Sequence, residues 1–295
     1  MATSEPMPVA PPRCPAPADL GAELAAYESA AEVGVWAGPR YRMTYRRLGS
    51  GPLLVLVPGI AGTYRGYALL LNRLAERFET IHYEYPGTEA GDGARLRRIG
   101  HADLVDDLLG LLDHLGGQSS ALLGLSFGAT VVLGALERAP GRFTRVVLQG
   151  AVAWRAYTRA ERWAMGLGSW LPGPARRLPL WERALTWNCR DSFPAVLGPR
   201  WRHFVEDCGR TPIAALAHRG RILTRLDLRP RLGAIRTPVL VVRGHEDRLV
   251  PTGLHEELVR GLPAAVSRIV PLAGHPMHYT HAELMARVVT EFVGT

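Results

Sequence analysis

Ser126 sits between glycines in the run Gly124-Leu125-Ser126-Phe127-Gly128, directly after the apolar residues 121–123 and directly before a helix-compatible stretch, 129–136. A strand, a sharp turn and a helix in that order lift a hydroxyl above the end of a sheet, with the positive end of a helix dipole beneath it. The flanking glycines let the chain fold back without a Cβ clash. A serine hydroxyl is too weakly acidic to attack an acyl carbon unaided, so it needs a base, and the base needs an acid to orient it. Both types occur downstream. The segment Arg243-Gly244-His245-Glu246-Asp247-Arg248-Leu249-Val250-Pro251 follows the apolar run 239–242, and Leu272-Ala273-Gly274-His275-Pro276 closes the last expected strand. Each stands at the C-terminal end of a strand, the edge at which open α/β sheets bind ligands. The chemistry these residues would do together is acyl transfer to water, with Ser126 as nucleophile, His275 as base and Asp247 as orienting acid.

Neighbouring residues compete for these roles. Glu246 precedes Asp247, but the spacing Gly244-x-x-Asp247-x-x-Val250-Pro251 favours the aspartate. His275, His278 and His281 have a spacing that could hold a metal, yet no carboxylate or cysteine nearby completes a ligand set, so they read as one base and two residues of a following helix. His245 reads as a loop residue near the mouth of the site. Neither a metal nor a cofactor is required.

Composition narrows the remaining classes. Hydrophobic residues make up 47% of the 295, enough for a sizeable core. All 35 basic residues are arginine, and the formal net charge is +8. The absence of lysine excludes a Walker-type phosphate loop, a Schiff-base lysine and a Ser-Lys dyad. A bias of arginine over lysine throughout the chain explains the basic balance without nucleic acid. Cys14, Cys189 and Cys208 are too few and too scattered for a disulfide framework or a zinc site; they fit a reducing compartment, with a Cys189–Cys208 pair as the alternative. Residues 1–18 contain six prolines and no apolar core, which reads as a disordered or polyproline-like tail rather than a secretory signal. No run of about 18 apolar residues occurs, so no membrane span and a cytoplasmic protein are expected.

Periodicity supplies the elements that must position the triad. Strands are expected at 41–48, 53–57, 80–85, 121–123, 145–149, 239–242 and 268–272, and helices at 19–31, 67–77, 101–115, 129–136 and 282–292. Strands alternating with helices make a mostly parallel sheet covered on both faces. The rhythm breaks between 153 and 211, where six of the seven tryptophans lie. This segment reads as a helical cap on a core formed by 19–152 and 212–295. Trp154, Trp163 and Trp187 are candidates for lining an apolar substrate pocket, against the commoner role of packing the cap onto the core. Between 154 and 231 fifteen arginines face six acidic residues. That is either a solvated basic face or a surface for a carboxylated acyl group, coenzyme A or an acyl carrier protein.

With these pieces in place, the chain resembles the α/β-hydrolase superfamily from about residue 40 onward, outside the insertion. The matching segments are Pro58-Gly59-Ile60-Ala61-Gly62, the turn around Ser126, Asp227-Leu228-Arg229-Pro230 leading to Gly244-His245-Glu246-Asp247, and Gly274-His275. The resemblance implies a serine hydrolase with a helical cap after the sixth strand, an oxyanion hole formed by the backbone N–H groups of Ile60 and Phe127, and a small-molecule acyl substrate, apolar or carboxylated. Thioesterase, lactonase, C–C hydrolase, perhydrolase and hydroxynitrile lyase chemistry share the scaffold, as do ligand-binding receptors with a slow triad. A serine at the nucleophile position argues against the epoxide hydrolases and haloalkane dehalogenases, which use aspartate. Where many members carry His-Gly, this chain has Pro58-Gly59, which leaves the triad intact but loosens assignment to any one subfamily.

Overall fold

The protein is described from a computed structural model covering residues 17–117 and 120–294; the proline-rich tail lies outside these apart from residues 17 and 18. Eight strands form one sheet: β1 (Glu32–Ala37), β2 (Arg42–Leu48), β3 (Leu53–Val57), β4 (Glu79–Tyr83), β5 (Ser120–Leu125), β6 (Phe143–Gln149), β7 (Val239–Gly244) and β8 (Ala265–Val270). Their spatial order is β1-β2-β4-β3-β5-β6-β7-β8. β1 and β2 run antiparallel to their neighbours, and every later pairing is parallel. Parallel strands covered on both sides read as continuous apolar runs, and β5 and β7 are buried at every residue.

Alternation along the strands divides the core in two. Val55 and Val57 point into a cluster with α3 (His101–His114) and α4 (Phe127–Arg138). Leu54 and Leu56 point the other way, toward α1 (Leu20–Ala30), α2 (Tyr64–Leu74) and, at the chain's end, α12 (Ala282–Val293). Within the insertion after β6 come α5 (Arg159–Gly168), α6 (Trp181–Cys189) and α7 (Gly198–Arg210), followed by α8 (Ile213–Leu223) and the short α9 (Arg229–Leu232). A capping box starts α5: the Glu161 N–H donates to Thr158 Oγ1 at 3.1 Å, and the Thr158 N–H donates to the Glu161 carboxylate at 2.7 Å. α5 lies on α8, while α7 sits on the core through a separate cluster of Phe193, Trp201, Phe204 and Tyr279. α10 (Thr252–Gly261) joins β7 to β8, and the one-turn α11 (Met277–Thr280) follows β8.

Element boundaries differ from the sequence expectation where caps or turns decide them. α2 begins at Tyr64 rather than 67, because Thr63 caps it and accepts the Arg65 N–H. β8 ends at Val270, since Leu272 is exposed and adopts φ +57°. β1 carries no legible signal: it is an edge strand with Val33 and Val35 exposed. Among the described residues no helix is long and apolar enough to cross a membrane.

Candidate active site

At the end of β5 the backbone of Ser126 takes φ +51° and ψ −113°, a conformation costing a non-glycine residue roughly 1–3 kcal/mol. It is imposed from both sides. The Ser126 N–H donates to the Gln149 carbonyl at 2.8 Å, and α4 starts immediately afterwards beneath the end of β3. That approach requires glycine at 128, where a Cβ would stand 2.2 Å from the Val57 carbonyl oxygen. The turn aims the Ser126 hydroxyl at His275, whose Nε2 lies 2.9 Å from Oγ.

His275 follows β8, and Gln149 holds its carbonyl through a 3.0 Å bond from Nε2. Room for the ring comes from Gly150, which has φ +60° and whose Cβ would fall 2.7 Å from His275 Cε1. On its other side, His275 Nδ1 is 2.8 Å from Asp247 Oδ2. The second Asp247 oxygen accepts the N–H groups of Leu249 and Val250, both at 2.9 Å. Burial would raise this carboxyl, but the His275 charge and the hydrogen bonds from His275, Val250 and Leu249 outweigh it and hold Asp247 below its ordinary value. Glu246 faces solvent, as does His245. Arg243 ties the loop down by donating to the carbonyls of Val250, His245 and Asp247 at 2.7, 3.1 and 3.1 Å.

The N–H groups of Phe127 and Ile60 make no hydrogen bond among the described residues. Phe127 is the first residue of α4, where an N–H has no intrahelical acceptor. Ile60 lies in the loop after β3, where three other N–H groups are bonded. Gly59 donates to the Tyr67 hydroxyl at 2.9 Å, Gly62 to Thr211 Oγ1 at 2.9 Å and Thr63 to Asp207 at 3.1 Å. The Ile60 carbonyl accepts from Arg219 at 2.8 Å. Asp207, Thr211 and Arg219 come from α7, the turn after it and α8, so the helices over the site also shape this loop. Nothing in the local sequence around these three residues marks them for such a task.

Two cavities meet at Ser126. One, of about 130 Å³, is walled by Leu185, Cys189, Phe204, Cys208 and Tyr279 under α6 and α7. The other, of about 180 Å³, lies under α5 and α8 and is bounded by Val152, Arg155, Tyr157, Met165 and Leu223. Cys189 and Cys208 are free thiols, and burial pushes both up, Cys189 to about 12. The three expected tryptophans do not reach either cavity. Trp154 is held under the Arg229 guanidinium, 4.2 Å from its ring centroid, and Trp163 and Trp187 are 72% and 75% exposed, on helix faces turned to solvent. The three histidines also part company. His278 packs against Tyr67 with ring centroids 4.7 Å apart and planes tilted by 32°, where burial and the His275 charge bring it down to about 3, and His281 Nδ1 bonds to Thr280 Oγ1 at 2.8 Å.

By comparison with known proteins, the chain belongs to the alpha/beta hydrolase family, whose model matches residues 54–288. Among curated relatives, it is 29% identical over 272 residues to the polyketide synthase ThaQ of Burkholderia thailandensis, covering 84% of this chain and spanning only 12% of that protein. It is 27% identical over 263 residues to 2-(acetamidomethylene)succinate hydrolase of Mesorhizobium japonicum, covering 86% of this chain and 92% of the relative. A crystal structure of a hydrolase from Pseudomonas aeruginosa PA01 superposes with a TM-score of 0.78 at 24% identity, over 90% of this chain and 99% of that one.

Proposed function

We propose that this protein is a serine hydrolase that cleaves a carboxylic ester or a related acyl compound. One observation carries the reading: Ser126, His275 and Asp247 form a continuous chain with links of 2.9 and 2.8 Å, beside two backbone N–H groups that have no partner among the described residues. In this reading Ser126 Oγ attacks the acyl carbon while His275 Nε2 takes its proton. The carbonyl oxygen becomes an oxyanion and accepts from Phe127 and Ile60, each donor worth about 3 kcal/mol in such sites. His275 then gives the proton to the leaving alcohol. Water, activated by the same imidazole, releases the acid and restores Ser126. Segment 153–211 acts as the cap that selects the substrate. A fluorophosphonate probe tests this: it should label wild-type protein and leave Ser126→Ala unlabelled. Folded wild-type protein that resists the probe and turns over no p-nitrophenyl ester would refute it.

The groove between the cap and α8 supports a second reading, in which the acyl group arrives on an anionic handle such as coenzyme A or an acyl carrier protein. This groove, of about 590 Å³, runs along α5 and α8, lined by Arg97, Arg162, Arg221 and Arg225 with the exposed Trp163 and Trp170. No carboxylate lines it, and the Arg97 guanidinium sits 3.1 Å over the Trp170 ring. Met165 and Leu223, on the same two helices, face the cavity at Ser126, so one helix diameter, roughly 10 Å, separates the groove from that cavity. The relative that hydrolyses an acetamidomethylene succinate is in keeping with an anionic substrate. The check is kcat/KM for octanoyl coenzyme A against p-nitrophenyl octanoate. In Arg221→Ala/Arg225→Ala the thioester should lose roughly tenfold or more, and increasingly so at low salt, while the neutral ester is unaffected. Equal losses on both substrates, or none on either, would remove the groove from recognition.

A further inference from the structure

Among the described residues, two buried guanidinium groups, those of Arg219 and Arg243, have no carboxylate among their hydrogen-bond and ion-pair partners. Arg243 braces the Asp247 loop, as described above. Arg219, on α8, is 1% exposed. Its Nη1 donates to the Ile60 carbonyl at 2.8 Å, and its Nη2 donates to Thr88 Oγ1 and, at 3.5 Å, to the Pro86 carbonyl. Its carbon lies 5.1 Å from the Tyr85 ring centroid, and its Nε has no acceptor. Removing such a cation from water is costly, and an apolar side chain of similar volume is often as stable or more so. Stability is therefore a poor reason for an arginine at this place.

Position is a better one. The guanidinium bridges the loop after β3 to the loop after β4. Tyr67 holds Gly59 on one side of the Ile60 and Ala61 N–H groups and Thr211 holds Gly62 on the other, and Arg219 bonds the Ile60 carbonyl between them, so it completes a set of anchors around the stretch that carries the free Ile60 N–H. Oxyanion donors are effective because they are oriented before charge develops, in a site of low dielectric. A fixed positive charge bonded to the same residue adds to the favourable potential there.

We infer that Arg219 is a positioning residue for the oxyanion site: it fixes the Ile60 backbone so that its N–H stands ready to donate, and it makes that readiness depend on α8 being seated. The inference rests on the serine-hydrolase reading. Loss of one oxyanion donor outright lowers kcat by about 10²–10³, so a donor left in place but loosened should lose about tenfold to a hundredfold.

The test is Arg219→Met assayed with p-nitrophenyl butyrate and with butylboronic acid, which forms a tetrahedral adduct on a reactive serine. The expected result is a fall in kcat of about ten- to a hundredfold with KM within about twofold, and an equal loss of boronate affinity. Arg219→Lys should recover only part of it, because a point charge cannot reach both loops as the planar fork does. Folded Arg219→Met with kcat within about twofold of wild type overturns the inference, as does a loss of kcat with boronate affinity unchanged. If Arg219→Met does not fold, Thr88→Val loosens the same guanidinium from the loop after β4; a fall in kcat with matching boronate loss supports the inference, and unchanged kcat overturns it. Wild-type protein that neither turns over ester nor binds boronate overturns the serine-hydrolase reading itself, and this inference with it.

Discussion

Replacing Asp247 with asparagine changes one oxygen to an amide nitrogen, and the surroundings dictate which one. Oδ1 accepts two backbone N–H groups, from Leu249 and Val250 at 2.9 Å each. An amide NH₂ in that seat would face two donors, so the asparagine oxygen must take it and the NH₂ must occupy the Oδ2 seat, 2.8 Å from His275 Nδ1. There it donates to Nδ1, which forces the imidazole proton onto Nε2. Nε2 then has no lone pair for the Ser126 proton, although every heavy atom remains in place. A triad with this tautomer error loses about 10⁴ in kcat, equivalent to about 5 kcal/mol of transition-state stabilisation. The assay is kcat/KM on p-nitrophenyl butyrate beside the rate of fluorophosphonate labelling, with thermal unfolding as a control for the fold. Labelling and turnover should fall together. Glu246→Gln, at the exposed neighbour, should leave both within about twofold of wild type, since surface substitutions away from bonded features are close to neutral. A loss of less than about tenfold in Asp247→Asn, or an equal loss in Glu246→Gln, would refute the assignment of the acid.

Other expectations follow from the same geometry. Gly150→Ala places a methyl group 2.7 Å from His275 Cε1 at φ +60°, so kcat should fall by about 10² as the ring is displaced, with circular dichroism unchanged. Phe204→Ala should cost about 3 kcal/mol in urea unfolding and shift ester preference toward longer acyl chains, because Phe204 packs on Trp201 and Tyr279 while walling the smaller cavity. Glu84 is raised from 4.5 to about 7, chiefly by burial, with the Tyr64 N–H bond and Arg46 opposing. Its folded value lies above its unfolded one, so its contribution to stability is complete below pH 4.5 and is lost as pH rises through about 7. Glu84→Gln, which can still accept the Tyr64 N–H, should therefore gain up to about 3 kcal/mol on wild type between pH 4 and pH 8. Parallel stability curves across that range would remove the effect.

Strands buried on both faces and helices with one apolar face announce themselves, which is why β3 and α3 stand almost where periodicity puts them. The turn at Ser126 and the contact of Asp247 rather than Glu246 with His275 were legible for a related reason: local spacing encodes local backbone geometry. The anchors of the Ile60 loop were not. Asp207, Thr211 and Arg219 act at separations of 144, 149 and 159 residues, through contacts that depend on how α7 and α8 settle over the sheet. Tryptophan content misled in the same region. Large aromatics mark a segment that covers something, but whether each ring turns inward depends on a helix rotation of a few tens of degrees, and Trp163 and Trp187 turn out. The β1 edge was silent because an exposed strand with one partner needs no apolar pattern.

The meeting of two rooms at one hydroxyl has an evolutionary corollary. On the proposed reaction, an ester seated with its carbonyl at Ser126 would extend its acid half into one room and its alcohol half into the other. The walls are built by different helices, α6 and α7 for the first, α5 and α8 for the second. On that reading, taste for the acid and taste for the alcohol would drift separately, each by substitutions in its own helix pair, without disturbing Ser126 between them.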